Sequence, residues 1–496
     1  MMKVNGNLSK AYIFLQLQIY LMIGSILAQS PGALTFEAAL EIAYQNSPDI
    51  QQARLALERS RELLNAEEAS LKSRFSFTLE PAYYSRISEF NTDFSQWITT
   101  ETKRSSGLFT IAQPILLTDG TLALRNQFSW RDSKSDFFQT QSETYSNNLY
   151  LAYDQPIFTY NRTRLALEEV KLDLEKTALN YNIRKLQLER QVAQNFYSAY
   201  QNKMSLQVAR EDYQNRQQSY QIIKNKVDAG LAAQEELFQA ELDRTSSKSQ
   251  LQNQEVALDN ALDELKRLLG FEIYDEITVF AEISQEPIEV DLDFALSHGL
   301  KNRLELRDRD IDIALSQANV VRASATNEFR GNISLSYGII GADEKFKNIY
   351  ETPTKNQQIV LSLEVPVWDW GEQASRTRAA EASVEQQNLS LSEEKKAVVI
   401  AIRRAYRNLQ NQVLQIELAK QNVESAQLTY DINLERYENG DLTSMDLNLF
   451  QNQLSQKKID LVNAMISYKI YLLDLKIESL WNFENNRAVN LLEENN

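Results

Sequence analysis

The stretch RTRLALEEVKLDLEKTALNYNIRKLQLERQVAQNFYSAYQNKMSLQVAREDYQNRQQSYQIIKNK, from Arg162 to Lys226, contains neither glycine nor proline. As one helix it would run roughly 100 Å, several times an ordinary helix of about three turns. Its apolar residues fall in two rows of heptad spacing: Leu165, Leu172, Leu179, Leu186 and Leu167, Leu174, Tyr181, Leu188. A plain antiparallel coiled coil needs one such row. Two rows call for neighbours on two sides, with Glu, Lys, Asn and Gln left for water. The stretch therefore predicts a wall or bundle of long helices. A second breaker-free run from Glu372 to Asn439, and further ones over 231–269 and 441–480, predict three more long helices.

These helices belong to a duplicated unit. Residues 34–40 (LTFEAAL) resemble 290–296 (VDLDFAL), and 46–50 (NSPDI) fall on 302–306 (NRLEL), both at an offset of 256. Pro156 matches Pro366 and Gly230 matches Gly440 at an offset of 210, so repeat one is 46 residues longer within its first half. Each repeat reads helix, strands, long helix, turn, helix. Repeat one, 29–284, places helices over 35–72, 162–228 and 231–269 and strands within 75–157. Repeat two, 285–496, places helices over 292–328, 372–439 and 441–480 and strands within 331–367, followed by a C-terminal tail. Pro48 is expected to break the first helix near its start.

The strands are short runs with a period of two. Phe75, Phe77, Leu79 and Tyr83 alternate with polar residues; so do Leu149, Leu151 and Tyr153, then Ile333, Leu335, Tyr337 and Ile339, then Ile359, Leu361, Leu363, Val365 and Val367. Each run is about ten residues, enough for a tilted strand to cross a bilayer. Alternation alone fits a half-buried strand of a soluble sandwich equally well. The helices tip the balance towards a membrane, because no sandwich core covers 100 Å of helix.

Composition narrows the function. The 496 residues carry 52 Lys+Arg against 68 Asp+Glu, a net charge of −16, with no cysteine and a single histidine, His298. So acidic a surface repels phosphates, and no basic stripe for nucleic acid is present. Absent cysteine removes thiolate metal sites, disulfides and a cysteine nucleophile. No metal, cofactor or enzymatic activity is expected, and His298, on a short amphipathic helix, is expected to be a surface or a packed histidine, not a ligand. The first 28 residues read as an export signal, with an N-terminal membrane anchor as the alternative: Lys3 and Lys10 precede a largely apolar stretch from Ala11 to Leu27, and Ile26 and Ala28 occupy the cleavage positions before Gln29.

One motif occurs twice at the constant offset. Repeat two has Arg436-Tyr437-Glu438-Asn439-Gly440, then Thr443, Met445-Asp446-Leu447 and Gln451. Repeat one has Lys226-Val227-Asp228-Ala229-Gly230, then Ala233, Glu235-Glu236-Leu237 and Glu241. With the duplicated layout, this motif resembles the TolC-type outer-membrane efflux proteins over nearly all of 34–480. The resemblance implies an α+β membrane protein of a Gram-negative bacterium. In it a homotrimeric β-barrel sits in outer-membrane lipid and continues as a long periplasmic α-helical barrel. A periplasmic adaptor and an inner-membrane transporter deliver substrate to its tip. Strand counting agrees on oligomerisation: closed membrane barrels start at 8 strands and this chain offers four to six, so several chains must share one barrel. A non-transporting periplasmic or surface coiled-coil protein is the alternative, against which the strands ending at Pro156 and Pro366 argue.

The resemblance also assigns site residues. The turns Ala229-Gly230-Leu231 and Asn439-Gly440-Asp441 become the periplasmic tip where adaptor hairpins dock; as plain local structure, both glycines are left-handed helix C-caps. Asp446 matches an acid that, repeated by symmetry, rings the closed aperture. Equally, Thr443-x-x-Asp446 is a capping box. Glu236 and Tyr437 match positions that link neighbouring helices when the tip is closed, with ordinary helix packing the other expectation for Tyr437. Trp368 and Trp370 read as an interfacial aromatic belt, with simple packing at the barrel–helix junction the other expectation.

The extra residues of repeat one hold a second strand pair over 107–131, with Phe109, Ile111 and Ile115 on one run and Leu122, Leu124, Phe128 and Trp130 on the next. Gln113-Pro114-Ile115 repeats Gln155-Pro156-Ile157, as though two descending strands end at one membrane level. The flanking stretches 88–106 and 132–147 are expected as long polar loops. Two arrangements follow: six wall strands per chain and eighteen per trimer, or an extracellular hairpin above the twelve-stranded wall usual in the family.

Overall fold

The computed structural model describes residues 34–281 and 288–489. The expected export signal, 1–28, and the end of the C-terminal tail lie outside the described residues. The chain divides into two units. One comprises the sheet with the helical residues flanking it, 55–180 and 304–395; the other comprises the described residues of 1–54, 181–303 and 396–496.

Repeat one opens with α1 (Phe36–Asn46) and α2 (Pro48–Ser70). Thr35 caps α1 by accepting a hydrogen bond from the Ala38 amide at 3.3 Å. Ser47 then leaves the helix, with φ −58° and ψ 128°. Pro48, which lacks an N–H to continue the ladder, opens α2. In repeat two the helix expected over 292–328 is also two, α5 (Leu292–Asn302) and α6 (Leu304–Ser324). The break falls at Arg303, φ −62° and ψ 125°, 256 residues after Ser47 and without a proline. The extended backbone there coincides with a guanidinium that donates to the Ile477 carbonyl at 2.8 Å and pairs with Glu478 at 3.0 Å. His298 on α5 packs as expected, stacked on Phe294 with its Nδ1 donating to the Ser479 carbonyl at 2.8 Å.

Six strands form an antiparallel meander in sequence order: β1 (Arg74–Asn91), β2 (Gln96–Ile115), β3 (Gly120–Ser135), β4 (Thr140–Ile157), β5 (Arg330–Asp343) and β6 (Thr354–Glu364); a separate two-residue ladder pairs Trp481–Asn482 with Arg487–Ala488. The polar stretches 88–106 and 132–147 are not long loops. β1 and β2 stay paired out to Asn91 and Gln96, and β3 and β4 out to Ser135 and Thr140. Their Ser and Thr side chains bond across the ladder, Ser88 to Thr99 at 2.8 Å and Ser129 to Ser146 at 2.7 Å. Hydroxylated residues satisfy a two-sided polar strand as readily as a loop.

Cross-strand register gives the sheet two distinct faces. Phe75, Ile111, Leu124, Leu151 and Tyr337 lie in one row, while Ser76, Thr110, Arg125, Tyr150 and Gly338 make the adjacent row on the other face. Tyr83 does not join Phe75, Phe77 and Leu79. The register shifts between Glu80 and Tyr83, around Pro81, and turns the phenol to the polar face beneath the Arg104 guanidinium, 4.7 Å away.

Four long helices follow the strands: α3 (Arg162–Asp228) and α4 (Gln234–Leu269) in repeat one, α7 (Glu372–Glu438) and α8 (Ser444–Ser479) in repeat two. A core of Leu188, Val192, Phe196, Leu265 and Leu269 closes over Ala39, Ala43 and Ile50 of α1 and α2. No helix among the described residues is long and apolar enough to cross a membrane.

Candidate functional site: the paired helix turns

The turn after each 67-residue helix is built identically. In repeat one the Gly230 amide donates to the Val227 carbonyl at 2.9 Å and the Leu231 amide reaches back to Lys226 at 2.8 Å. In repeat two Gly440 donates to Tyr437 at 3.1 Å and Asp441 to Arg436 at 2.9 Å. Both glycines have positive φ, +73° and +85°, with open space where a side chain would stand. Their role is backbone conformation: only glycine enters this left-handed region without steric cost. Ala229 and Asn439 immediately precede them, each donating an amide to the carbonyl four residues back.

The helices that leave the turns start differently. Thr443 Oγ1 accepts from the Asp446 amide at 3.2 Å and donates to Asp446 Oδ2 at 2.7 Å, leaving the carboxylate exposed in the first turn of α8. Ala233 occupies the matched position and offers no side-chain cap to α4. Glu236, the counterpart of Asp446, is half-buried.

Tyr437 is 3 % exposed and packs with Ile223, Ala240 and Leu447. The phenol–carboxylate bond expected between Tyr437 and Glu236 is not made within the chain: the buried hydroxyl has no hydrogen-bond partner among the described residues. The ring is instead turned into the apolar cluster, with the Lys226 ammonium 4.9 Å over its face and donating to the Tyr437 carbonyl at 3.3 Å. Burial, with the Glu236 charge added, pushes the phenol pKa up to about 12.

The polar contacts near these turns centre on Arg216, which sequence reasoning passed over. Arg216 on α3, 8 % exposed, donates to Asp212 at 2.9 Å and crosses to α8, reaching Asn448 at 3.3 Å and Asn452 at 2.6 Å. Asn448 in turn donates to Asp243 of α4, and the buried Gln451 donates to Asp212 at 3.0 Å. One guanidinium thus ties α3 to α8, and α8 is tied on to α4. A cavity of ≈ 10 Å³, room for a single water, lies beside Arg216, Tyr437 and Asn448. A signal did exist: Asn448 and Asn452 stand where repeat one has Phe238 and Leu242, a polar-for-apolar change at the constant offset.

Together the described residues give an antiparallel sheet with one apolar and one polar face and four helices of 36 to 67 residues. The model of the outer membrane efflux protein family matches residues 39–271 and 295–476, both repeats of the duplication. The chain belongs to that family. The cation efflux system protein CusC of Escherichia coli K12 is 25% identical over 198 residues, 39% of this chain and 42% of that protein. Nodulation protein T of Rhizobium leguminosarum bv. trifolii is 22% identical over 381 residues, 75% of this chain and 80% of that protein. In fold, the chain is similar to the Campylobacter jejuni CmeC outer membrane channel, with a TM-score of 0.69 at 15% identity, covering 92% of this chain and 86% of that one.

Proposed function

We propose that this chain is the exit duct of a tripartite efflux or type I secretion system. As a homotrimer it passively conducts substrates handed over by a periplasmic adaptor and an inner-membrane transporter, and it performs no chemistry of its own. The observation that carries this is the two-faced sheet: apolar side chains such as Phe77, Leu361 and Ile359 stand 59–80% exposed on one face, while Ser, Thr, Asn and Arg line the other. An apolar face bare in the single chain is what lipid requires, and a polar face is what a water-filled lumen requires. A non-transporting coiled-coil scaffold leaves both faces without a role.

The turns 229–231 and 439–441 present Ala229, Gly230, Leu231, Asn439, Gly440 and Asp441 to the adaptor. Asp446 forms the aperture ring. Its Thr443 hydrogen bonds hold the carboxylate at the start of α8, so capping and ring formation use the same side chain. Three carboxylates about one axis repel anions and gather cations. Cargo is set by the transporter that feeds the duct. Conductance of the purified trimer in planar bilayers tests this: Asp446→Asn should weaken block by trivalent cations and shift selectivity towards anions. Unchanged block and selectivity would leave Asp446 as a helix cap alone, and absence of any conductance would overturn the duct.

A further inference from the structure

We propose that β2 and β3 are full members of the membrane wall. Three copies then close an eighteen-stranded barrel, six strands from each, in which β6 of one copy pairs antiparallel with β1 of the next. The proposal rests on the three-copy exit duct and adds its wall composition and its subunit seam.

The β2–β3 hairpin begins at the helical end of the sheet, not above it. Its turn, 116–119, is clasped to the start of α3. Asp119 accepts from the Thr163 amide at 3.0 Å and from Arg162 at 3.2 Å, while Asn161 donates to the Leu116 carbonyl at 2.7 Å and Gln155 to the Thr118 carbonyl at 2.6 Å. Burial alone would raise the Asp119 carboxyl pKa, but the hydrogen bonds from Thr163 and Arg162 hold it below the usual value. From that fixed level both strands pair with their neighbours along the whole apolar zone. Outward rows run Phe75–Ile111–Leu124–Leu151–Tyr337 and Phe77–Phe109–Asn126–Leu149–Ile339; an inward row of small residues runs Ala112–Ala123–Ala152–Ser336. Higher on the outward face, Trp130 and Tyr145 pair and mark an aromatic level, beyond which Lys103, Asp132 and Glu143 take over. A hairpin standing outside the membrane has no reason to carry the same apolar rows at the same depth.

The unpaired edges decide the partner. β1 and β6 are the ends of the strand order, and each leaves a row of backbone N–H and C=O groups that hydrocarbon does not tolerate. Six strands are fewer than the smallest closed membrane barrel of about eight, so another copy must supply the pairing. The edges match in kind: Phe75, Phe77 and Leu79 point outward from β1, as do Ile359, Leu361 and Leu363 from β6. Aligning their feet sets Arg74 beside Glu364 and Ser76 opposite Ser362, and keeps every apolar side chain on one side. A wall of about eighteen strands leaves an open aqueous lumen.

The cysteine-free chain makes the test direct. In trimers reconstituted into liposomes, Phe109→Cys and Leu122→Cys should react with a water-soluble thiol reagent at least tenfold more slowly than Thr110→Cys and Arg125→Cys. Equal rates on both faces would place β2 and β3 outside the wall and overturn the proposal, whatever the copy number. For the seam, Ser76→Cys combined in turn with Val360→Cys, Ser362→Cys and Glu364→Cys should, on oxidation, give a covalent ladder ending at three chains for one of these pairs, and none with Leu363→Cys. No cross-link from any same-face pair overturns the β1–β6 seam. A ladder ending at two chains, with face-selective labelling intact, overturns the three-copy duct instead.

Discussion

The two helix turns descend from one duplicated sequence, yet they keep different things. Both retain a glycine at positive φ and the same pair of back-reaching amides. They part at the side chains: Thr443 and Asp446 cap α8 where Ala233 leaves α4 uncapped, and α3 carries Arg216 where α7 carries Ala426. The left-handed backbone favours glycine in both turns alike. A cap or a clasp is worth a kilocalorie or a few, and only one copy needs it once the two turns occupy different surroundings. The asymmetry gives α8, and not α4, both a side-chain cap at its start and a guanidinium along its flank.

The largest effect should come from the clasp. Arg216→Ala leaves Asp212 without its cation and Asn448 and Asn452 without a donor, and should lower local stability by about 3 kcal/mol. Amide hydrogen exchange along the first three turns of α8 should accelerate accordingly, while exchange near the uncapped start of α4 changes less. Equal acceleration at both starts would dissolve the distinction between the copies.

Gly230→Ala and Gly440→Ala should each cost about 1–2 kcal/mol, because an added Cβ meets no neighbour and only the left-handed backbone resists it. Exchange at the two turns should respond alike; a loss confined to one would mean the shared geometry is not shared strain. Thr443→Ala should cost about 1 kcal/mol at the start of α8. Ala233→Ser should recover part of that amount at the start of α4, bringing the copies closer. No gain there would show that α4 is held by its packing and not by its end.

Tyr437→Phe is the smallest change, within about 0.5 kcal/mol and of either sign, since the hydroxyl it removes has no partner among the described residues. The phenol still sets a pH limit. Its folded pKa, about 12, lies above the unfolded value of about 10. The stability this difference contributes is therefore fully present below pH ~10 and lost as pH rises towards 12. Hydrogen exchange at the turn, followed across that window, should show the loss in the parent and not in Tyr437→Phe.

Much of this was legible in the residues. The breaker-free run from Arg162 foretold a helix that ends at Asp228, and the period-two runs foretold strands with one apolar face. The offset of 210 located both turns. Less legible was the length of the strands: Ser88, Thr99 and Thr102 have the composition of a loop, and nothing local says that they pair. Tyr83 was placed on the wrong face because Pro81 hides a register shift, which exists only when a second strand is there to be in register with. The candidate site divided the same way. Gly230, Gly440 and the Thr443–Asp446 cap could be named from spacing, whereas the Arg216 clasp left only the polar-for-apolar change at Asn448 and Asn452, which does not name its partner.

What the sequence determined by itself is everything that depends on period and on backbone conformation: helix lengths, strand faces, the duplicated layout and the two left-handed turns. These are set by neighbours a few residues apart, and the chain carries them wherever it folds. Tertiary structure decided which polar groups meet. Arg216 and Asn448 are 232 residues apart, Arg303 and Ile477 174 apart, and Asp119 and Thr163 44 apart. A buried donor takes whichever acceptor the packing of distant elements brings within reach, and no local pattern encodes that choice.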